Sequence, residues 1–438
     1  MNKNAKIIQW TAITIALALT ILWASMDDCS NTGESCGNLV QFTLNGMMVG
    51  GVYALVALGI VIINKASGVF NFAHGYMMFA GGMLFWQTFD GPPSDTLALI
   101  LGMIAGLVVL GLVTTGVELR ETTQQSRMQK LGSWLRTPRV QIGIVAGLVT
   151  TGVVFILFNQ LNNDILRGSL GALIGSIAIG LAVERFTIRP LLGQPLLAAI
   201  MMTLAVGLVL QGSISLFWGS QPRPLSVFVE PAREEPIVVP IGIDAQGNTI
   251  YQEVGTQAVP PKVQPNYRVE TEDWLGKDLS FQRNLVWGFV IAISCFVAFV
   301  LFFEFTNVGL AMRAVAENQV LAESVGLRVR TILAVAWAIA AAMATIAGVI
   351  QGTGPGIGLS AIVIPPLALR AFPAVLLGGL ESITGALVGG LVIGIVETLA
   401  SALVDSTTGQ EFAPFAVLLI VLMLKPDGLF GQRRIDRV

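Results

Sequence analysis

The chain has 438 residues, 54% of them hydrophobic and only 12% charged, with a net charge of -2. Soluble domains carry about 25% charged residues, so this composition excludes a water-soluble globule and points to a chain that crosses a membrane repeatedly. The charge balance also excludes nucleic-acid binding, which needs a basic surface.

A membrane helix needs about 20 apolar residues. Segments that approach this length fall at 7–25, 39–63, 75–91, 97–118, 140–158, 169–183, 195–218, 285–303, 331–350, 363–379, 383–403 and 412–425. They predict an all-α polytopic membrane protein with about 10–12 transmembrane or re-entrant helices. The segments at 75–91, 169–183, 363–379 and 412–425 are short and read as half-helices or re-entrant pieces. The first, Ile7–Ser25, follows Lys3 and Lys6 and is not followed by a small-x-small cleavage site, so it reads as a retained anchor.

Residues 1–38 are thus an anchor helix with an external loop, and 39–218 a first membrane half interrupted by a basic loop at 119–139. The stretch 219–284 reads as an external subdomain. Its run Ile237-Val-Val-Pro-Ile-Gly-Ile243, the turn-forming Asp244-Ala-Gln-Gly-Asn248 and Thr249-Ile-Tyr251 predict a β-hairpin. Residues 285–438 form the second membrane half. Alternating the segments from a cytoplasmic start leaves both termini and the stretches 64–74, 119–139, 184–194 and 304–330 inside. Those stretches hold most of the 25 lysines and arginines, as the positive-inside bias requires.

Enzyme chemistry has little support. No Gly-x-x-x-x-Gly-Lys-Ser/Thr loop occurs, nor a Gly-x-Ser-x-Gly elbow or His-Glu-x-x-His. Three cysteines and one histidine match no metal-ligand spacing. Cys29 and Cys36 can pair if their loop faces an oxidising compartment, whereas Cys295 reads as apolar packing.

Several features stand out instead. Gly309–Gly326 reads as an amphipathic helix in an inside loop, with Ala314, Leu321 and Val325 within about 40° of one another and Arg313, Glu317 and Ser324 beside them. It is either a docking element for a soluble partner or an interfacial helix lying on lipid. Gly385/Gly389 and Gly390/Gly394 have the GxxxG spacing of close helix packing; the other reading is a path lined by bare backbone. Arg370 and Glu397 are ionisable groups within apolar spans and are placed to pair across antiparallel neighbours, as a structural ion pair or as a group that meets cargo. Asn71 and His74 precede a span and read as caps for it, or as partners for unsatisfied backbone groups.

Four stretches together resemble the permease subunit of the branched-chain amino acid ABC importers. These are Asn45-Gly-Met-Met-Val-Gly-Gly-Val-Tyr-Ala-Leu-Val-Ala-Leu-Gly59, Asn71-Phe-Ala-His-Gly75, Glu184-Arg-Phe-Thr-Ile-Arg-Pro190, and the run from Gly309-Leu-Ala-Met-Arg-Ala314 through Leu376-Leu-Gly-Gly-Leu-Glu-Ser-Ile-Thr-Gly-Ala386 to Gly394-Ile-Val-Glu397. The resemblance implies that Gly309–Gly326 is a coupling helix, with Arg313, Glu317, Leu321, Glu323 and Gly326 meeting a cytoplasmic ATPase. It implies a translocation path or gate drawn from Asn45, Asn71, His74, Arg370 and Glu397. The expected partners are a second permease subunit, two ATPase subunits that bind ATP and Mg, a periplasmic or extracellular substrate-binding protein and membrane lipid, with no cofactor in this chain. The implied setting is the prokaryotic cytoplasmic (inner) membrane, and the implied cargo branched-chain or other neutral amino acids, with urea or short-chain amides as the alternative. A stand-alone ion-coupled secondary transporter is the alternative from another class. The anchor at 7–25, the helix pair near 97–158 and the loop 219–284 depart from the family pattern.

Overall fold

The computed structural model describes residues 37–431 except 92, 115–136, 192–193, 231–232, 244–248, 260–261, 264–265, 271–277, 355–357, 404–406 and 427. The anchor at 7–25, the Cys29–Cys36 pair, the hairpin turn Asp244–Asn248, the C-terminal tail and nearly all of the basic loop 119–139 lie outside the described residues.

The first half runs through α1 (Gly37–Ser67), α2 (His74–Phe89), α3 (Asp95–Thr114), α4 (Pro138–Gln160), α5 (Asp164–Val183) and α6 (Leu196–Trp218). Six strands follow: β1 (Val229–Glu230), β2 (Arg233–Ile243), β3 (Thr249–Val259), β4 (Lys262–Val263), β5 (Tyr267–Val269) and β6 (Leu279–Phe281). The second half comprises α7 (Arg283–Phe305), α8 (Asn307–Glu317), α9 (Gln319–Ser324), α10 (Val329–Gly352), α11 (Ile364–Arg370), α12 (Phe372–Gly378), α13 (Ile383–Leu403) and α14 (Thr407–Leu424). Among the described residues, seven helices are long and apolar enough to cross a membrane: α1, α4, α5, α6, α7, α10 and α13. The protein is an all-α polytopic membrane protein with a small amount of strand at one end.

At the centre lies α1, apolar on every side as a helix enclosed by other helices must be. Val52, Leu55, Val56, Ala57 and Leu58 are buried, and α13, α10 and α7 pack around the helix. The closest of these contacts, with α13, is backbone against backbone. A Cβ on Gly50 would lie 2.8 Å from both the Gly390 carbonyl oxygen and the Leu391 Cα, and one on Gly46 would lie 2.7 Å from the Ile395 Cα. The two GxxxG pairs of α13 face different neighbours: Gly390 and Gly394 meet α1, while Gly385 and Gly389 meet α12. Close packing is what these glycines do.

The helix pair α3–α4 stands at the periphery with its own glycine seam. Gly102 and Gly106 face Thr151 and Gly147, and the Thr151 hydroxyl donates to the Gly102 carbonyl at 3.1 Å. Leu107, Ile142, Val145 and Leu148 point outward as lipid-facing residues do.

Of the short segments, one differs from expectation and one matches it. The piece at 169–183 is no half-helix: the helix starts at Asp164, and a π-turn (Glu184–Ile188) and a last turn carry it to Leu191, so that Asp164–Leu191 is a full span. Arg167, a cation just ahead of the apolar run, hid this start. Its side chain is buried and clasps the end of α2, donating to the Thr88 carbonyl at 2.6 Å and the Phe89 carbonyl at 3.1 Å while pairing with Asp164 at 2.7 Å. A cation is favourable where the carbonyls of a helix C-terminus converge. The segment 363–379 is indeed two short helices. Pro365 and Pro366 open α11, and Pro373 opens α12 immediately after Ala371. Proline starts helices readily but cannot continue one, because it lacks the amide hydrogen.

At the strand end, the anticipated hairpin is the β2–β3 pair, with a ladder from Arg233↔Val259 to Ile243↔Thr249. A second pair, β5–β6, is tied to α1 by a glutamine. Gln41 donates to the Ser280 carbonyl at 2.8 Å and accepts from the Ser280 amide at 2.7 Å, so its side-chain amide substitutes for one rung of a ladder. At the opposite, arginine-rich end, Gln319 of α9 donates to the Ala66 carbonyl of α1 at 3.0 Å.

Candidate functional site

Two groups of side chains carry the chemistry. The first is the pair α8–α9. A single helix over 309–326 is not what forms: Asn318 adopts extended backbone between the two helices, and its side-chain oxygen caps α9 by accepting from the Leu321 amide at 3.0 Å. Asparagine favours such caps because its short side chain replaces a missing backbone acceptor. The face turned to the bundle carries Gly309, Met312, Val315 and Ala322, which pack among residues of α1, α7 and α10, whereas Leu321 and Val325 of the expected apolar stripe are exposed. Gly326 ends α9 in the left-handed conformation, φ +87°, with the Leu327 amide donating back to Ala322 at 3.0 Å. This is a helix stop that glycine makes without strain.

The five sequence-derived residues of this segment therefore divide. Arg313 turns back on its own chain, donating to the Phe303 carbonyl, pairing with Glu304 at 3.2 Å and lying over the Phe303 ring. Glu317, Leu321, Glu323 and Gly326 face outward. Alongside them Leu310, Val320 and Val325 are exposed, Val320 at 79% and Leu321 at 62%. An open cleft beside α9 is lined by Arg185, Arg189, Arg330, Val320 and Glu323. Arg189 is held there by Glu184, a buried carboxylate 2.6 Å away within the π-turn. An exposed apolar ridge beside charged residues has the character of a surface that contacts a protein partner or lies at a lipid interface.

The second group lies within the bundle. The Arg370–Glu397 pairing anticipated from the sequence is present at 3.7 Å between Nη1 and Oε1. A third member was not anticipated: the Tyr53 hydroxyl of α1 donates to Glu397 Oε2. Tyr53 and Glu397 are both buried. Tyr53 lies about 18 Å along α1 from Lys65, at 1.5 Å per residue, and so near the middle of a hydrocarbon layer about 30 Å thick. Its signal in the sequence was a polar tip in the α1 span, which an aromatic ring disguises as core. Replacing Tyr53 by Phe removes a hydrogen bond to a buried charged acceptor, a loss of about 1.5–3 kcal/mol. The expected result is a lower melting temperature of the purified protein in detergent; an unchanged melt would mean that Glu397 finds an equivalent partner.

The remaining three candidates lie apart from this trio. Asn45 sits about 12 Å from Tyr53 along α1, accepting from Gln41 at 3.1 Å. Asn71 accepts from the Ala73 amide at 3.1 Å in a turn just before α2, whose N-cap is Ala73 and carries no side-chain cap, so the expected capping by Asn71 or His74 does not form. His74 is buried against Gly59, with neither ring nitrogen in a protein hydrogen bond. The Asn71–Gly75 segment reaches the trio indirectly. Gly75 admits the Pro365 backbone, with Cα 2.8 Å from a would-be Cβ, and Phe70 and Phe72 contact Phe372. It thereby seats the broken helix that carries Arg370.

Residues 135–424 match the family model described as branched-chain amino acid transport system, permease component. The chain is 25% identical over 404 residues to the high-affinity branched-chain amino acid transport system permease protein LivH of Salmonella typhimurium, covering 91% of this chain and 97% of the relative. The Escherichia coli LivH protein matches to the same identity and extent. The corresponding BraD protein of Pseudomonas aeruginosa is 24% identical, over 91% of this chain and 98% of its own. No solved structure matches.

Proposed function

Because this chain belongs to the branched-chain amino acid transport permease family, we propose that it is the membrane subunit of an ATP-driven importer for branched-chain or other neutral amino acids. The observation that carries the coupling half of this reading is the α8–α9 pair: an apolar ridge of Leu310, Val320, Leu321 and Val325, displayed at the arginine-rich end of the bundle and rigidly seated from behind. Coupling requires a partner whose movement is passed to the spans, and a helix pair locked to α1, α7 and α10 passes on a displacement without chemistry of its own. The positive-inside bias puts this end in the cytoplasm, where ATPase subunits bind ATP and Mg, and puts the strands outside, where a substrate-binding protein delivers cargo. A second permease subunit supplies the other half of the path in the cytoplasmic membrane.

The path itself is assigned to the surface that Arg370 reaches. A guanidinium at membrane depth that is 37% exposed in the isolated chain faces either water or protein, since lipid contact there is costly. Glycines of α13 that would line a bare-backbone path are consumed in helix contacts, and the Tyr53–Arg370–Glu397 trio is a buried cluster that includes a side chain reaching the surface. The test is affinity isolation of the tagged chain from native membranes in mild detergent. Co-elution of a nucleotide-binding ATPase and a second permease in comparable amounts is the expected result. A chain that elutes alone and supports ion-gradient-driven uptake in vesicles would replace this reading with that of a self-sufficient transporter.

A further inference from the structure

The Arg370–Glu397 pair is asymmetric in a way that bears on what passes by it. Its cation reaches the surface, with a side chain 37% exposed, whereas its anion is 4% exposed and sealed behind it. An incoming group therefore meets the guanidinium first, and the group a guanidinium takes is an anion. The guanidinium Nη1 stands 3.7 Å from Glu397 Oε1. A guanidinium has five donors in a planar fork suited to a carboxylate. Glu397, for its part, has Tyr53 on its other oxygen and keeps that hydrogen bond if Arg370 turns away.

We propose that Arg370 captures the carboxylate of the cargo in place of Glu397, and that the Tyr53-held Glu397 then accepts the cargo's ammonium group. Pro366 and Leu369, exposed on the same broken helix, offer an apolar wall for an aliphatic side chain. The site thus selects a zwitterion: urea and simple amides carry no anion and give a buried carboxylate no reason to be exchanged at a guanidinium. This inference rests on the permease reading and names the cargo class within it.

The test uses the complex purified with its ATPase and permease partners but without the binding protein, whose own selectivity would mask that of this chain. Binding of leucine, of 4-methylpentanoate (leucine without its amine) and of leucinamide is measured by thermal shift across millimolar concentrations. The two carboxylates are expected to bind and leucinamide to bind at least tenfold more weakly. Arg370→Lys, which keeps the charge but loses the fork, should weaken both carboxylates at least tenfold. Glu397→Gln should tighten 4-methylpentanoate severalfold, because the internal competitor is gone; a purely structural pair would give no such gain. Equal binding of leucine and leucinamide, indifference to Arg370→Lys, or no carboxylate binding by a complex that still drives leucine uptake with its binding protein would each overturn the proposal. The last outcome is also what an acidic side chain of the second permease on Arg370 would produce. Failure of the complete system to take up any neutral amino acid would instead remove the permease reading, a separate measurement on the same preparation.

Discussion

Leu321→Glu should leave the protein inserted and folded while ATP-driven leucine uptake falls by about thirtyfold or more. The side chain is 62% exposed, about 100° round α9 from its buried neighbour Ala322. Surface substitutions of this kind shift stability by no more than about 0.5 kcal/mol. A central apolar contact in a protein interface is worth about 2–4 kcal/mol, and each 1.4 kcal/mol is tenfold. The acidic replacement also stands beside Glu317 and Glu323, so a partner that tolerates the lost area still meets concentrated negative charge. Uptake in membrane vesicles, normalised to the amount of folded protein, checks this. Met312→Glu is the control from the opposite face: it places a charge in the core between α1, α7 and α8 and should lower folded yield instead. Full uptake by Leu321→Glu would remove α9 from the coupling surface.

Gly390→Val is the second variant with a large expected effect. Its new Cβ would meet Ala54 on all sides, lying 2.7 Å from the Ala54 Cβ and closer still to its backbone. Flexible side chains can yield to an added carbon, but here the obstacle is the main chain of α1, so the helices must separate. Overpacking costs typically 1–3 kcal/mol, and a backbone obstacle puts this site at about 3 kcal/mol or above. Tyr53 and Glu397 lie close along the same two helices, so the separation also opens their hydrogen bond. The expected outcome is a severe loss of folded protein in detergent. Ala54→Gly in the same chain should recover part of it by removing one of the colliding carbons. Wild-type yield and melting for the single variant would contradict the backbone seam.

What the sequence disclosed followed physical contrast. Spans were visible because a run of about 20 apolar residues is seldom anything but a membrane helix. Arg370 and Glu397 were visible because single charges in such runs are conspicuous and must meet something. Tyr53 was not, because its ring satisfies the apolar pattern while only its hydroxyl is polar. The α8–α9 boundary escaped because a helical wheel assumes continuity; Asn318, a cap-forming residue amid an amphipathic run, was the available sign. The place of Arg167 was hidden for the opposite reason, since a cation near an apolar run looks like its end. It is in fact inside α5, neutralising carbonyls of a neighbouring helix that no local pattern reveals. The division of Gly385/Gly389 from Gly390/Gly394 was likewise hidden, because spacing tells that a glycine row will be covered, not by which helix.

The two glutamine clasps give α1 a mechanical character. At one end Gln41 grips Ser280 of the outer strands, and at the other Gln319 grips the Ala66 carbonyl from α9. Between them runs one unbroken helix about 40 Å long, at 1.5 Å per residue. A rod fastened at both ends transmits load along its axis rather than absorbing it, and the glycine seam with α13 leaves it little room to buckle. Sliding α1 along its axis would therefore strain a clasp at one end or the other, and Tyr53 lies between them.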